Sequence, residues 1–188
     1  MVLVRHGATE WSLSGRHTGV TDLPLSPEGE EQARALGRRL AGRPFAAVLS
    51  SPRLRALDTC RLAGQSAQVC VVDDLAEWDY GDFEGLTSAE IHREAPGWTL
   101  WDDGAPGGET PLDVADRADR VIALVRGRED GDVAVFSHGH FLRVLAVRWA
   151  DFALGAGRSL ALATGAVSVL GYEREAPAIL LWNEEVRP

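Results

Sequence analysis

The sequence predicts an α/β fold, a β-sheet covered by helices on both faces. Two patterns and one quantity predict it. Short β-branched apolar runs alternate along the chain with capped segments of helical period. Two of those runs end at histidines, Val2-Leu3-Val4 at Arg5-His6-Gly7 and Val133 to Ser137 at His138-Gly139-His140. A sheet of this class gathers its loops at the carboxyl ends of its strands, so two histidines far apart in sequence acquire one location. The chain has 188 residues, 45% of them hydrophobic, enough for a substantial core in one domain spanning residues 1–188.

In chain order, the first run is a buried strand that delivers a guanidinium and an imidazole to a sheet edge. Gly7 lets the backbone turn sharply or lie close to a ligand. Residues 8–19 are rich in glycine and small polar side chains and read as an active-site loop. Ser26-Pro27 starts a helix with Ser26 as cap; Ala33, Leu36 and Leu40 form its apolar stripe, and Arg34, Arg38 and Arg39 face water. Phe45 to Ser50 is a second buried strand, and Ser51-Pro52 opens the next helix. That places Arg53 in a first helical turn, where unpaired backbone N–H groups favour an anion.

Val69 to Val72 is a third strand, leading into an acidic and aromatic loop from Asp73 to Gly85. Thr87 and Glu90 have the spacing of a capping box. Residues 96–110 are irregular, with two Pro, four Gly and two Trp, the texture of a substrate-side flap. Thr110-Pro111 starts a helix carrying Val114, Ala118, Val121, Ile122 and Val125 at helical spacing. After the fourth strand, Asp132 to Ser137, Leu142, Leu145 and Ala146 support another helix. Val167 to Leu170 and Ala178 to Trp182 read as two late, edge-type strands.

Composition narrows the function classes. A formal net charge of −9 repels polyanions and argues against a nucleic-acid or anionic-membrane binder, although a pocket can still be locally positive. Cys60 and Cys70 have no metal-site spacing and read as buried thiols in a reducing compartment. No stretch has the length of a membrane span, and no basic, apolar leader opens the sequence, so a cytoplasmic location is expected. A small phosphorylated metabolite is the expected partner. A homodimer is compatible with the sequence, and no metal or cofactor is called for.

Six motifs resemble the histidine phosphatase superfamily, in its phosphoglycerate mutase-like branch, and occur in that family's order. They are Arg5-His6-Gly7, Thr18-Gly19 with Thr21 to Leu25, Ser50-Ser51-Pro52-Arg53, Glu77 to Gly85, Gly108-Glu109-Thr110 and Ser137-His138-Gly139. The resemblance implies a three-layer α/β/α sandwich with a mostly parallel central sheet, and a phosphohistidine intermediate. By resemblance His6 is the nucleophile, Arg5 and Arg53 clamp the phosphoryl group, and His138, as imidazolium, donates to a phosphate oxygen. Glu77 resembles the general acid, with Glu10, Asp79, Asp82 and Glu84 as local rivals. Ser12, Thr18, the Gly19 N–H, Tyr80 and the Gly139 N–H resemble groups lining the substrate site. The chemistry agrees: neutral imidazole is nucleophilic near neutral pH, and planar guanidinium forks match phosphoryl oxygens.

The sequence departs from the mutases after Glu77. Arg93 and His92 are the only basic residues between Glu77 and Thr110, where mutases carry adjacent arginines in a longer insertion. Ser12 and His140 stand where mutases tend to carry Asn. The expectation is therefore a metal-independent phosphomonoesterase for small metabolites such as sugar phosphates. A cofactor-dependent phosphoglycerate mutase, a noncatalytic phosphate-binding module and a metallohydrolase built on His6, His138 and His140 are the competing readings. The paired arginines speak against the last, since they would repel a cation.

Overall fold

The computed structural model describes residues 1–128 and 131–186. Its centre is a six-stranded sheet in the order β3-β2-β4-β1-β5-β6. The strands are β1 (Val2–Arg5), β2 (Ala47–Ser50), β3 (Val69–Val71), β4 (Val133–Ser137), β5 (Ala166–Glu173) and β6 (Ala176–Glu185). The first four pair in parallel, whereas β5 runs antiparallel to β1 and β6 antiparallel to β5. The sheet is therefore mixed and mostly parallel.

Alternate strand residues face two separate apolar layers, as the pleat requires. Val2, Val4, Val48, Ala134 and Phe136 pack with Leu36 and Leu40 of α2 (Pro27–Leu40) and Cys60 of α3 (Leu54–Leu62). Leu3, Leu49, Val133 and Val135 pack on the other side with residues of α6 (Pro111–Arg126) and α7 (Gly139–Trp149). The result is the three-layer α/β/α sandwich. Among the described residues, no helix is long and apolar enough to cross a membrane.

Helix starts follow the local chemistry. Ser26 Oγ accepts the Gly29 N–H and Pro27 fills the first helical position of α2. Thr87 and Glu90 close a capping box on α4 (Ser88–Glu94), and Thr110 and Asp113 close one on α6. A short α1 (Glu10–Leu13) interrupts the first loop and α5 (Leu100–Asp103) the second.

Four expectations need correction. Helix α3 begins at Leu54, not at Pro52, so Arg53 is its N-cap residue with extended backbone. Strand β5 is internal, paired to β1 on one side and β6 on the other; of the two late strands, β6 alone lies at an edge of the sheet. Cys70 is exposed, because it lies on the other edge strand, β3, while Cys60 is buried under the sheet. Gly7 serves a packing need: a Cβ there would lie 2.3 Å from the Gly29 carbonyl oxygen of α2.

Candidate active site

The parallel pairing of β1 and β4 sets Arg5 opposite Ser137. One residue further on, the His6 N–H donates to the Ser137 carbonyl at 3.0 Å, and the His6 and His138 rings lie with centroids 5.1 Å apart. Both histidines are buried, yet His6 lines a cavity of about 210 Å³ at the carboxyl ends of these strands. The first loop, the loop after β3 and the start of α7 supply most of its remaining walls.

Hydrogen bonds fix the protonation of both rings. His6 Nδ1 is 2.7 Å from the Gly7 carbonyl oxygen, which can only accept, so Nδ1 carries the proton. Burial, with Arg55 and Arg5 nearby, holds the His6 pKa well below the usual imidazole value. The ring is therefore neutral and Nε2 keeps its lone pair. At His138, Nδ1 accepts from Arg55 Nε at 3.2 Å; Nε2 then bears the proton, which it gives to Ser51 Oγ at 2.7 Å. Burial and then Arg55 hold this pKa well below normal too. His138 is thus a neutral hydrogen-bond donor, where an imidazolium was expected.

Of the two expected clamp arginines, Arg5 lines the cavity and Arg53 does not. Arg5 Nη1 donates to the Leu162 carbonyl, and its guanidinium lies against Gly139, where a Cβ would be 3.2 Å from Cζ. Buried Nε atoms of both Arg5 and Arg53 have no partner among the described residues. A buried unpaired donor is costly, and an oxyanion would satisfy it. The guanidinium that reaches the histidine pair is Arg55, which sequence reasoning missed. It is fully buried and also donates to the carbonyls of Thr18, Gly19 and Thr21. Its signal was available in the spacing: Arg55, Ala56, Thr59 and Cys60 share the buried face of α3.

Glu77 is the only carboxylate among the residues lining the cavity. Oε1 accepts N–H groups from Trp78 at 2.9 Å and Phe141 at 2.8 Å, and Oε2 accepts from His140 at 3.0 Å. Two of these donors are first-turn N–H groups of α7, so Glu77 caps that helix from another loop. The loop itself is pinned by Arg117 of α6, which donates to the carbonyls of Asp74 and Ala76 and pairs with Glu109 at 2.7 Å. Glu109 in turn accepts the Asp79 N–H.

The rivals of Glu77 are elsewhere. Glu84 accepts the N–H groups of Gly19 and Thr21, Asp79 accepts that of Gly81, and Glu10 is exposed. The Gly19 N–H is therefore already used by Glu84, and Gly19 is not in the cavity wall. Ser12, Thr18, Tyr80 and Gly139 are in it. Ser12 Oγ and Thr18 Oγ1 donate to the carbonyls of Thr9 and Arg16, respectively. Tyr80 Oη is 2.6 Å from His140 Nδ1, and burial pushes the phenol pKa well above normal. His140 joins the wall as well, its own pKa held well below normal by burial and Arg143. Trp78 and Trp98 donate their indole N–H groups to the carbonyls of Glu109 and Gly104, so they tie loops together outside the cavity wall.

Known proteins share this arrangement of elements. The chain is 42% identical over 176 residues to an acid phosphatase of Mycobacterium tuberculosis, covering 92% of this chain and 86% of that protein. It is 40% identical to the sedoheptulose 1,7-bisphosphatase of Saccharomyces cerevisiae, covering 82% and 68%. A solved Mycobacterium tuberculosis open reading frame product superposes with a TM-score of 0.95 at 39% identity, over 99% of this chain and 97% of that one. A mycobacterial glucosyl-3-phosphoglycerate phosphatase solved with VO3 gives 0.88 at 29% identity, over 98% of each chain. The family model of the histidine phosphatase superfamily (branch 1) matches residues 1–185, and the chain belongs to that superfamily as a hydrolase.

Proposed function

We propose that the protein hydrolyses small phosphomonoesters, such as sugar phosphates, without a metal ion and through a phosphohistidine at His6. The observation that carries this reading is the neutral His6 ring, with its proton held on Nδ1 by Gly7 and Nε2 left as a lone pair. Nε2 attacks phosphorus and the bond to the leaving oxygen breaks, with Glu77 giving that oxygen a proton. Water then attacks the phosphohistidine, the P–N bond breaks, and the proton taken from water returns Glu77 to its acid form. Arg5 supplies donors to the equatorial oxygens as charge redistributes, and the His138 Nε2–H joins them by exchanging Ser51 Oγ for a phosphoryl oxygen. Arg55 adds positive charge behind His138. A divalent cation would meet Arg5 and Arg55 beside the histidine pair, which supports the metal-free route.

The relatives include proteins named as phosphatases and as phosphoglycerate mutases. The scarcity of basic residues between Glu77 and Thr110 favours release of phosphate over its return to a second phosphoglycerate. The deciding experiment measures phosphate release in chelator from sugar phosphates, phosphoglycerates and p-nitrophenyl phosphate, beside phosphoglycerate isomerisation with a bisphosphorylated primer. Release without isomerisation, with acid-labile phosphoenzyme that vanishes in His6→Ala, is expected. Phosphoenzyme persisting in His6→Ala would overturn the nucleophile, and isomerisation with little release would make the protein a mutase.

A further inference from the structure

Asn183 is the only non-glycine with positive φ, 58°, inside a strand among the described residues. That region is costly for most L-residues and least so for Asn and Asp. The residue sits in a bulge: between the pairs Val169–Leu181 and Val167–Glu184, Trp182 and Asn183 of β6 together oppose Ser168 of β5. The Asn183 N–H donates to the buried Ser168 Oγ at 3.0 Å, which ties the bulge to the sheet.

The bulge holds the loop that enters β5. Trp182 Nε1 donates to the Ala161 carbonyl at 2.6 Å, and Asn183 Oδ1 accepts the Ala163 N–H at 2.7 Å. The two peptide groups flanking Leu162 are thus both fixed by β6. The second of them carries the Leu162 carbonyl, which accepts from Arg5 Nη1. A trans peptide is planar, with its N–H and C=O pointing in opposite directions, so Asn183 holds one end of a rigid plate and Arg5 docks on the other. Two residues on, the Gly165 N–H donates to the His6 carbonyl at 3.0 Å.

Arg5 has no other anchor of this kind. Its guanidinium makes no further hydrogen bond among the described residues, and its Nε is buried without a partner. A planar fork delivers parallel donors only when its plane is set. The Leu162 carbonyl sets it and leaves the remaining N–H groups for phosphoryl oxygens. Arg5 and Leu162 line the cavity; Trp182 and Asn183 do not.

We propose that Asn183 is a positioning residue for phosphoryl transfer: through the Leu162–Ala163 peptide it orients the Arg5 guanidinium, with Trp182 bracing the preceding peptide. This rests on the phosphatase reading above. The assignment explains the choice of side chain. Glycine would accept the backbone conformation but leave the Ala163 N–H unmet, aspartate would meet both needs, and alanine neither. It also makes β6 a working part of the site, although that strand lies at a sheet edge, two places from β1.

The test is hydrolysis of p-nitrophenyl phosphate, with inhibition by orthovanadate and the thermal midpoint as further readouts. Asn183→Gly is expected to lower kcat/KM about tenfold, mainly through kcat, and to weaken vanadate inhibition about as much. Its midpoint should lie within about 4 °C of the parent's, since relief of the backbone offsets one lost hydrogen bond. Asn183→Asp keeps the acceptor and is expected to hold kcat/KM within about twofold of the parent. In an Arg5→Lys background, which lacks the fork, Asn183→Gly should add a loss of less than about twofold. An equal loss in both backgrounds would overturn the positioning role, as would parent-like kinetics in Asn183→Gly or an equal loss in Asn183→Asp. If Arg5→Lys does not fold, the glycine and aspartate variants still decide the matter. Failure of the parent to hydrolyse p-nitrophenyl phosphate would instead overturn the phosphatase reading.

Discussion

Arg55 Nε donates to His138 Nδ1 across 3.2 Å, and that single bond decides which proton the second histidine can offer. Arginine has no acceptor, so His138 must bear its proton on Nε2. A lysine at position 55 would retain charge but lose the fork that also holds the carbonyls of Thr18, Gly19 and Thr21. Arg55→Lys is expected to lower stability by about 2–4 kcal/mol and turnover by at least about tenfold. Imidazole nitrogen NMR checks the cause: His138 should lose its fixed Nε2–H signature in the variant, and an unchanged signature would refute the assignment.

Glu77→Gln replaces an acceptor that three backbone N–H groups surround. Its amide NH2 must then oppose one of them, at a cost of about 1–3 kcal/mol. Turnover of glycerol phosphate is expected to fall by about 10²–10³, and that of p-nitrophenyl phosphate by less than about tenfold, since a phenolate scarcely needs a proton to leave. Equal losses on both substrates would assign the proton to another group.

Arg117 is not itself in the cavity wall but holds the carbonyls of Asp74, Ala76 and Glu77 and the carboxylate of Glu109, and so sets the position of Glu77. Arg117→Met is expected to destabilise the protein by about 3 kcal/mol in denaturant unfolding. It should also slow glycerol phosphate more than p-nitrophenyl phosphate. A variant that loses stability but keeps the parent's leaving-group dependence would reduce Arg117 to a purely structural role.

Gly139→Ala separates activity from stability. Alanine has the better helix propensity, although Gly139 is the first residue of α7 and the gain there is less than the roughly 1 kcal/mol of a helix interior, but its Cβ would press on the Arg5 guanidinium at 3.2–3.5 Å. A thermal midpoint equal to or above the parent's, with kcat/KM reduced about tenfold or more, is the expected pair of results. Unchanged kinetics would show that Arg5 accommodates the methyl group without leaving its phosphate-binding position.

Acid should destabilise the fold through its neutral histidines. The pKa values of His6, His138 and His140 are all lowered in the folded state, so between those values and about 6.5 the unfolded chain binds more protons. Stability therefore rises with pH through this window and is lost as pH falls below about 6.5, at up to about 1.4 kcal/mol per pH unit for each histidine. Thermal midpoints recorded from pH 7.5 to 5 should show this slope, and it should be shallower in His140→Asn. A pH-independent midpoint would contradict neutral burial.

The sequence made the histidine pair legible because two apolar runs end abruptly in charged motifs, and a parallel sheet brings such ends together. Capped helix starts at Ser26, Thr87 and Thr110 were readable for the same reason, since the capping chemistry is local. Arg55 was harder to read: its spacing with Ala56, Thr59 and Cys60 marks the buried face of α3, but an arginine beside Arg53 at a helix start also looks solvated until the helix is seen to begin at Leu54. The use of the Gly19 N–H by Glu84, and the presence of Arg16 and Arg143 in one cavity wall, depend on loops packing across the sheet edge. Nothing in the local pattern encodes such contacts. Exposure of Cys70 likewise follows from sheet order, which places β3 at the margin.

The pairing of β1 with β4 joins two segments far apart in the chain before any chemistry is possible. His6 is made before its neighbour His138, which follows only after α2, α3 and α6. No amino-terminal fragment can carry half an active site, because β1 is sandwiched between strands that come late. Long-range parallel pairing is a slow step in folding. Regain of activity after dilution from denaturant should therefore coincide with the final, slowest phase, well after helical signal returns.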